Sequence, residues 1–241
     1  SFTVPTNFRS GIYAAKLIDE QDNEEMVPFF VTAKQGKPQS RICVLIPSFT
    51  YTVYANIARG NTNKKMLERI KEWSASPWTT DNFPQFGLST YNYHSDGSGI
   101  SSSSRRRPIL TMRSNVISYP GVPGSGCRHF PADSHLWYWL TTKGYEFDVI
   151  TDDEVHKYGL AAIEKYSVLL TCSHPEYHTP QSLNALQEYT NTGGHLMYLG
   201  GNGFYWKVAV SDVWPDAVEI RRGEGGIRAW ASEPGEYYNA F

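Results

Sequence analysis

Cysteine is scarce and poorly spaced for bridging. The chain has three, Cys43, Cys127 and Cys172, and no CxxC pair. That count excludes a disulfide scaffold and a cysteine-based structural zinc site, and it points to a reducing compartment. An excess of either charge is also missing. The formal net charge is −2 and the pI about 6.4, so nothing draws the whole chain to nucleic acid or to an anionic membrane. SSSSRRRP (101–108) is the one basic cluster, and it reads as a solvated or carboxylate-pairing loop, since a nucleic-acid face needs a broader basic surface. No apolar run is long enough to span a bilayer and no charged-then-apolar leader opens the sequence, so the expected location is the cytoplasm.

What is present is a globular share of hydrophobic residues, 40%, enough for a sizeable core. The 16 tyrosines and 7 tryptophans predict core and interface before they predict chemistry. Residues 1–35 read as β: SFTVP, GIYAAKLI and MVPFFVTA form three short strands separated by polar turn material. Three strands leave edges and an apolar face bare, so they are expected to be the tail of a β-sandwich, with KQGKPQS (34–40) as linker.

From there the pattern changes, and residues 36–241 are expected to form an α/β domain. RICVLIP (41–47) is an apolar strand of the kind buried on both faces of a parallel sheet. An irregular, Gly/Ser/Pro/Asn-rich region follows over about 50–130, interrupted by one helix, KKMLERIKEW (64–73). Such long loops usually carry function. After Asp133 the rhythm is regular. DSHLWYWLTTKG is a helix with Asp133 as N-cap, YEFDVIT a strand, DEVHKYGLAAIEKY a helix and SVLLTC a buried strand. TPQSLNALQEYTNTGG is a helix with Thr179 as N-cap, Pro180 at its first position and Gly193 at its C-cap, and HLMYLGGNG is a further strand. This alternation predicts a parallel sheet with right-handed crossovers. The chain stops at GEYYNAF with no closing element, so it is expected to be part of a larger polypeptide.

Ligands in such sheets sit outside the carboxyl ends of the strands. Three of those ends carry unusual residues: SFTYTVYAN (48–56), CSHPEYH (172–178) and GGNGFYW (200–206). In His174-Pro175-Glu176 the proline favours extended geometry for His174, which would point His174 and Glu176 to one side ahead of a helix N-terminus. The plainer reading is a solvated glutamate near the helix dipole and a histidine serving loop backbone; both stay open on spacing alone. LSTYNYHSDGSG (88–99) offers Tyr91, Tyr93, His94 and Asp96, with DGSG as a turn or a weak anion nest. Cys172 sits near His174 and Glu176, but its neighbours are not the small residues of a nucleophile elbow, and a buried structural thiol is the simpler account. GVPGSG (121–126) follows no strand and opens no helix, so it is no dinucleotide fingerprint.

Taken in order, TYTVYAN, LSTYNYHSDGSG with RRRP, SHPEYHTP, GGNGFYW and EPGEYYNAF resemble the large subunit of N,N-dimethylformamidase and its relatives, across essentially the whole chain. The resemblance implies that 1–35 closes a β-rich domain and that 36–241 is a three-layer, Rossmann-like α/β domain of the glutamine-amidotransferase-like type. It implies an amidohydrolase acting on a small amide such as an N-substituted formamide. It further implies one mononuclear iron, ferric, held by Tyr54, Tyr91 and Glu176, with His174 and Asn202 as polar neighbours. Tyr51 and Tyr93 are rival phenolates. A small partner subunit and a higher oligomer are implied as well. Two phenolates and a carboxylate would balance a trivalent ion with hard oxygen donors. Two other functions are weighed beside this one: a non-catalytic α/β ligand-binding or assembly domain, and a Cys172-dependent amidotransferase-like hydrolase.

Overall fold

Two of the three strands expected at the front of the chain form. In the computed structural model, which describes residues 2–57, 64–78, 80–117, 126–204 and 206–220, β1 (Gly11–Ile18) and β2 (Glu24–Val31) pair antiparallel along their full length. SFTVP does not join them. Pro5 has no N–H to give a ladder, and Phe2 and Val4 are exposed. The remaining elements follow in chain order: β3 (Ile42–Ile46), α1 (Ser48–Val53), α2 (Lys64–Glu72), β4 (Ser102–Ser104), α3 (Phe130–Thr142), β5 (Asp148–Thr151) and α4 (Asp152–Tyr158). Then come β6 (Val168–Thr171), β7 (Tyr177–His178), α5 (Pro180–Asn191), β8 (His195–Met197), β9 (Trp206–Val210) and β10 (Ala217–Ile220).

β5, β3, β6 and β8 build a four-stranded parallel sheet in that order. β3 lies inside it, paired on both edges, which is why ICVLI has no polar face. Its alternate residues feed two cores. Cys43 and Leu45 pack with Ile150, Leu169, Val155 and Leu186 beneath α4 and α5. Val44 and Ile46 pack with Val149 and with Phe130 and Leu140 of α3, and Ile12 and Phe30 of the hairpin close over them. Helices thus cover one face, and a helix with the β1–β2 hairpin covers the other.

α5 obeys its sequence signals. Thr179 caps it by accepting from Ser182 N at 3.1 Å, Pro180 opens it, and Gly193 takes φ 96° just past the C-cap Thr192. α3 does not. It starts at Phe130 with His129 as N-cap, because the Asp133 carboxylate is drawn inward to accept from the Tyr51 hydroxyl and from Ser173 N. The irregular region expected from about residue 50 also begins differently, with the buried helix α1. HLMYLGGNG is strand only over β8, and a second four-stranded sheet, β4-β10-β9-β7, was not signalled by the sequence. That sheet shares a core with α1 built from Phe49, Val53, Tyr54, Tyr177, Trp206 and Val218. GVPGSG, apart from Gly126, and EPGEYYNAF lie outside the described residues.

The basic run pairs with carboxylates as expected: Arg105 with Asp153 and Asp216, Arg106 with Asp216. Arg107 instead turns inward and donates to the carbonyls of Ala55, Phe86 and Leu88 at 3.2–3.3 Å. Because β3 and β6 are neighbours, Leu45 opposite Thr171, the segments leaving their carboxyl ends start side by side. The loop after β8 presses on the second of these: Gly201 N donates to Ser173 O at 3.0 Å, and a Cβ on Gly200 would stand 2.5 Å from that same carbonyl oxygen. Gly200→Ala is therefore expected to destabilise the protein by ~1–3 kcal/mol, read as a lower denaturant midpoint at unchanged slope.

Candidate active site

Tyr54 is the C-cap of α1, and its carbonyl-rich surroundings bring the other parts of the site to it. The last turn of a helix leaves carbonyls without internal partners. Here Val53 O accepts from Ser89 Oγ at 2.9 Å, Thr90 Oγ1 at 3.0 Å and Thr90 N at 3.3 Å, and Thr52 O accepts from Ser103 Oγ at 2.6 Å. These bonds dock the start of the 88–99 loop, so Tyr91 stacks on Tyr54 with ring centroids 4.3 Å apart and planes 13° from parallel. On the other side, Thr50 Oγ1 accepts from Glu176 N at 3.2 Å and Tyr177 N at 3.3 Å, fixing the segment that follows β6.

The outcome is a meeting of three acidic oxygens. Tyr54 Oη donates to Glu176 Oε2 at 2.8 Å and lies 2.9 Å from Tyr91 Oη, which in turn is 2.6 Å from Tyr177 Oη. Glu176 is only 2% exposed, so its carboxyl is a buried group of the cluster and not the solvated helix-dipole partner of the plainer reading. His174 faces the same point, with Nε2 3.2 Å from Glu176 Oε2. Burial, followed by the neighbouring Tyr91 and Glu176, pushes the Tyr54 phenol far above its ordinary range, and Arg128 works against that shift.

The other residues singled out in the sequence separate from this cluster. Tyr51 points into the α3 core and donates to Asp133. Tyr93 is half exposed, bridged through its backbone to Gly99, while Asp96 closes the DGSG turn by accepting from Ser98 N at 2.9 Å. Asn202 is exposed, at φ 49°, on the loop anchored to Ser173. Cys172 is fully buried, and burial drives its thiol well above the ordinary value, so it is no thiolate nucleophile.

Two residues of the cluster have no counterpart in the sequence reading. Arg128 stands over the Tyr54 ring, 5.1 Å from its centroid, with Nη2 3.4 Å from Tyr54 Oη and 3.2 Å from His174 Nε2. His129 is buried, its ring 4.3 Å from that of Tyr54, on backbone at φ 55°, ψ −126°. Burial, Arg128 and His174 together hold His129 well below its ordinary value, hence neutral. The signal available was faint: a cation and an imidazole directly ahead of the FPAD helix start. Among the described residues no group of three His, Cys, Asp or Glu side chains is placed to hold a metal, so a cation here would depend on the phenols. Among them, too, no helix is long and apolar enough to cross a membrane.

Comparison with known proteins supplies the family. Residues 1–241 match the family described as N,N-dimethylformamidase beta subunit-like, C-terminal. The chain is 36% identical over 240 residues to the N,N-dimethylformamidase beta subunit of Paracoccus aminophilus, covering 98% of this chain and 31% of that protein. It is 36% identical over 251 residues to the N,N-dimethylformamidase beta subunit of an Alcaligenes species, with the same coverage. The chain spans about a third of the length of these relatives. By whole-chain match and by identity, it belongs to the N,N-dimethylformamidase beta subunit-like family.

Proposed function

We propose that this chain carries the metal centre of an amidohydrolase that cleaves the C–N bond of a small amide, such as an N-substituted formamide. The observation that carries the reading is that Tyr54 Oη lies 2.9 Å from Tyr91 Oη and 2.8 Å from Glu176 Oε2, which gathers three oxygens from three separate segments around one phenol. Tyr54, Tyr91 and Glu176 would hold the cation through their side-chain oxygens. Two phenolates and a carboxylate sum to three negative charges on hard donors, which suits one ferric ion. Such an ion, when bound, supplies Lewis acidity to a carbonyl oxygen and a lowered pKa to water. The name of the relatives supports both the hydrolase class and a partner subunit, which we take to be small and part of a higher oligomer. The parallel sheet with its two covered faces is taken as the glutamine-amidotransferase-like layering.

The roles of the protein groups follow from position. The His174 imidazole, beside Glu176, takes the proton of the attacking water and returns it to the departing amine nitrogen, so that water and amide become carboxylic acid and amine. Asn202, exposed on the loop held against Ser173 and apart from the cluster, is given no part in the step. Tyr91 and Tyr177 pack on the Tyr54 ring, one stacked and one edge-on, and fix its position. The exposed aromatics of α3, Tyr138 and Trp139, favour a role in assembly as well, the alternative being that assembly is all the domain does. Glu176→Gln separates the two: loss of amide hydrolysis with assembly retained supports the enzyme, and unchanged hydrolysis rejects the site.

Iron analysis and absorption spectroscopy test the centre itself. The full-length protein should hold about one iron per chain and be coloured by tyrosinate-to-iron charge transfer. Tyr91→Phe, which removes one oxygen at almost constant volume, should strip most of the iron and the colour. A variant with full iron content would remove Tyr91 from the ligand set. Tyr51→Phe should behave oppositely: iron is kept, while the buried Asp133 loses a donor and stability falls by ~1–3 kcal/mol in chemical denaturation. Cys172→Ser should retain activity, and inactivity with normal folding and iron would revive the thiol mechanism.

A further inference from the structure

Resting on the metal reading above, we propose that Arg128 and Tyr177 are dedicated donors to the two phenolates, Arg128 to Tyr54 and Tyr177 to Tyr91, and that they set the electronic character of the centre. Neither residue is one of the ligands. Each stands beside a different ligand oxygen, Arg128 Nη2 3.4 Å from Tyr54 Oη and Tyr177 Oη 2.6 Å from Tyr91 Oη.

The direction of both contacts follows from chemistry. A guanidinium has five N–H groups and no acceptor, so Arg128 can only donate. It is aimed by two acceptors outside the ligand set: its Nε bonds to His129 Nε2 and its Nη2 to His174 Nε2, each at 3.2 Å. His129 is itself fixed by burial against Tyr54. Between Tyr91 and Tyr177 either hydroxyl can donate while both are phenols. Once Tyr91 is ionised only the Tyr177 proton remains, so a symmetric pair becomes a directed bond from Tyr177. Tyr177 is fully buried on β7, and that strand is paired in register with Trp206 of β9, so the hydroxyl is held in place.

A donor to a phenolate oxygen draws density away from the bond that oxygen makes to a cation. Groups of this kind orient ligands and tune the potential and affinity of a metal. The two phenolates are thereby unequal. Tyr54 feels a full positive charge at long range, and Tyr91 a neutral hydroxyl at short range. Arg128 also adds a permanent cation to a pocket whose product is a carboxylate, which favours anionic groups bound there.

The test uses full-length protein loaded with ferric iron, comparing wild type with Tyr177→Phe, Arg128→Met and, as control, Tyr93→Phe. The readouts are the wavelength of the charge-transfer band and the iron retained against a chelator. With its donor removed, each phenolate becomes a stronger electron source, so Tyr177→Phe and Arg128→Met should both move the band to longer wavelength. Neither variant should lose iron more readily than wild type, and Tyr93→Phe should overlay wild type in both readouts. A band that stays in place in both variants overturns the proposal. Tyr177→Phe, which loses a single oxygen, decides the matter alone if Arg128→Met does not fold. A colourless, iron-free wild type overturns the metal reading instead, and it is told apart because no band exists to shift.

Discussion

A six-residue helix with no exposed side has to satisfy its polar groups through its neighbours, and the rest of the site is built on that need. All of α1, Ser48 to Val53, is buried, and a buried polar group without a partner costs ~1–3 kcal/mol. Six residues make few internal bonds. At its N-terminus Pro47 offers no side-chain cap, and α4 supplies the acceptors: Ser48 Oγ donates to Asp153 at 2.7 Å and Phe49 N to Asp152 at 3.4 Å. Along its length Thr50 receives Glu176 N and Tyr51 finds Asp133. At its C-terminus Val53 O takes Ser89 and Thr90. The segments that answer these demands are the ones that bear Glu176 and Tyr91. The contacts that satisfy the helix are therefore the contacts that bring the three oxygens together around Tyr54.

That assembly is electrostatically uneasy. Two phenols and a carboxyl, all within hydrogen-bond distance in a buried pocket, cannot ionise together without a compensating charge. Hydrogen bonds link Tyr177, Tyr91, Tyr54 and Glu176 in a row, and burial with its neighbours holds the Tyr54 phenol far from ionisation. The arrangement is polar yet fully connected, so it rigidifies the pocket without leaving an orphan. Arg128 is the nearby positive charge that leans the balance toward the anion, but a single cation at 3.4 Å does not offset burial. The ferric ion proposed above would be the compensating charge with which these groups could ionise together.

Sequence made the parallel sheet and the loops that bear the cluster readable for separate reasons. RICVLIP and the Thr179–Pro180 cap carry local signals that tertiary contacts reinforce. Tyr54, Tyr91 and Glu176 were named through the family resemblance, while their separation from Tyr51 and Tyr93 needed the fold: Tyr51 is one helical turn from Tyr54 and faces α3, and Tyr93 lies half exposed on the turn bridged to Gly99. The second sheet escaped because its strands run two to five residues, and SSS or Tyr177–His178 is too short to show a period. Asp133 misled because its N-cap preference is weaker than the pull of a buried hydroxyl and a backbone N–H from another segment. Arg128 and His129 follow a glycine- and proline-rich stretch without periodicity, so no pattern places them.

His129 shows what that irregularity is for. A non-glycine residue at φ 55°, ψ −126° is strained, by ~1–3 kcal/mol for such outliers, and it persists only where the surroundings over-determine it. Three contacts do so here. Asp133 N donates to His129 O at 2.8 Å as α3 begins, the ring is buried on Tyr54, and its Nε2 accepts from Arg128. A glycine would take the same backbone without strain, but it would supply neither the ring that packs on Tyr54 nor the nitrogen that steers Arg128. The strained turn reverses the chain so that consecutive side chains, a cation and a neutral imidazole, both meet one tyrosine. The local cost is offset by contacts to the residue that the buried helix α1 presents, so the strain at His129 and the burial of α1 are two ends of the same constraint.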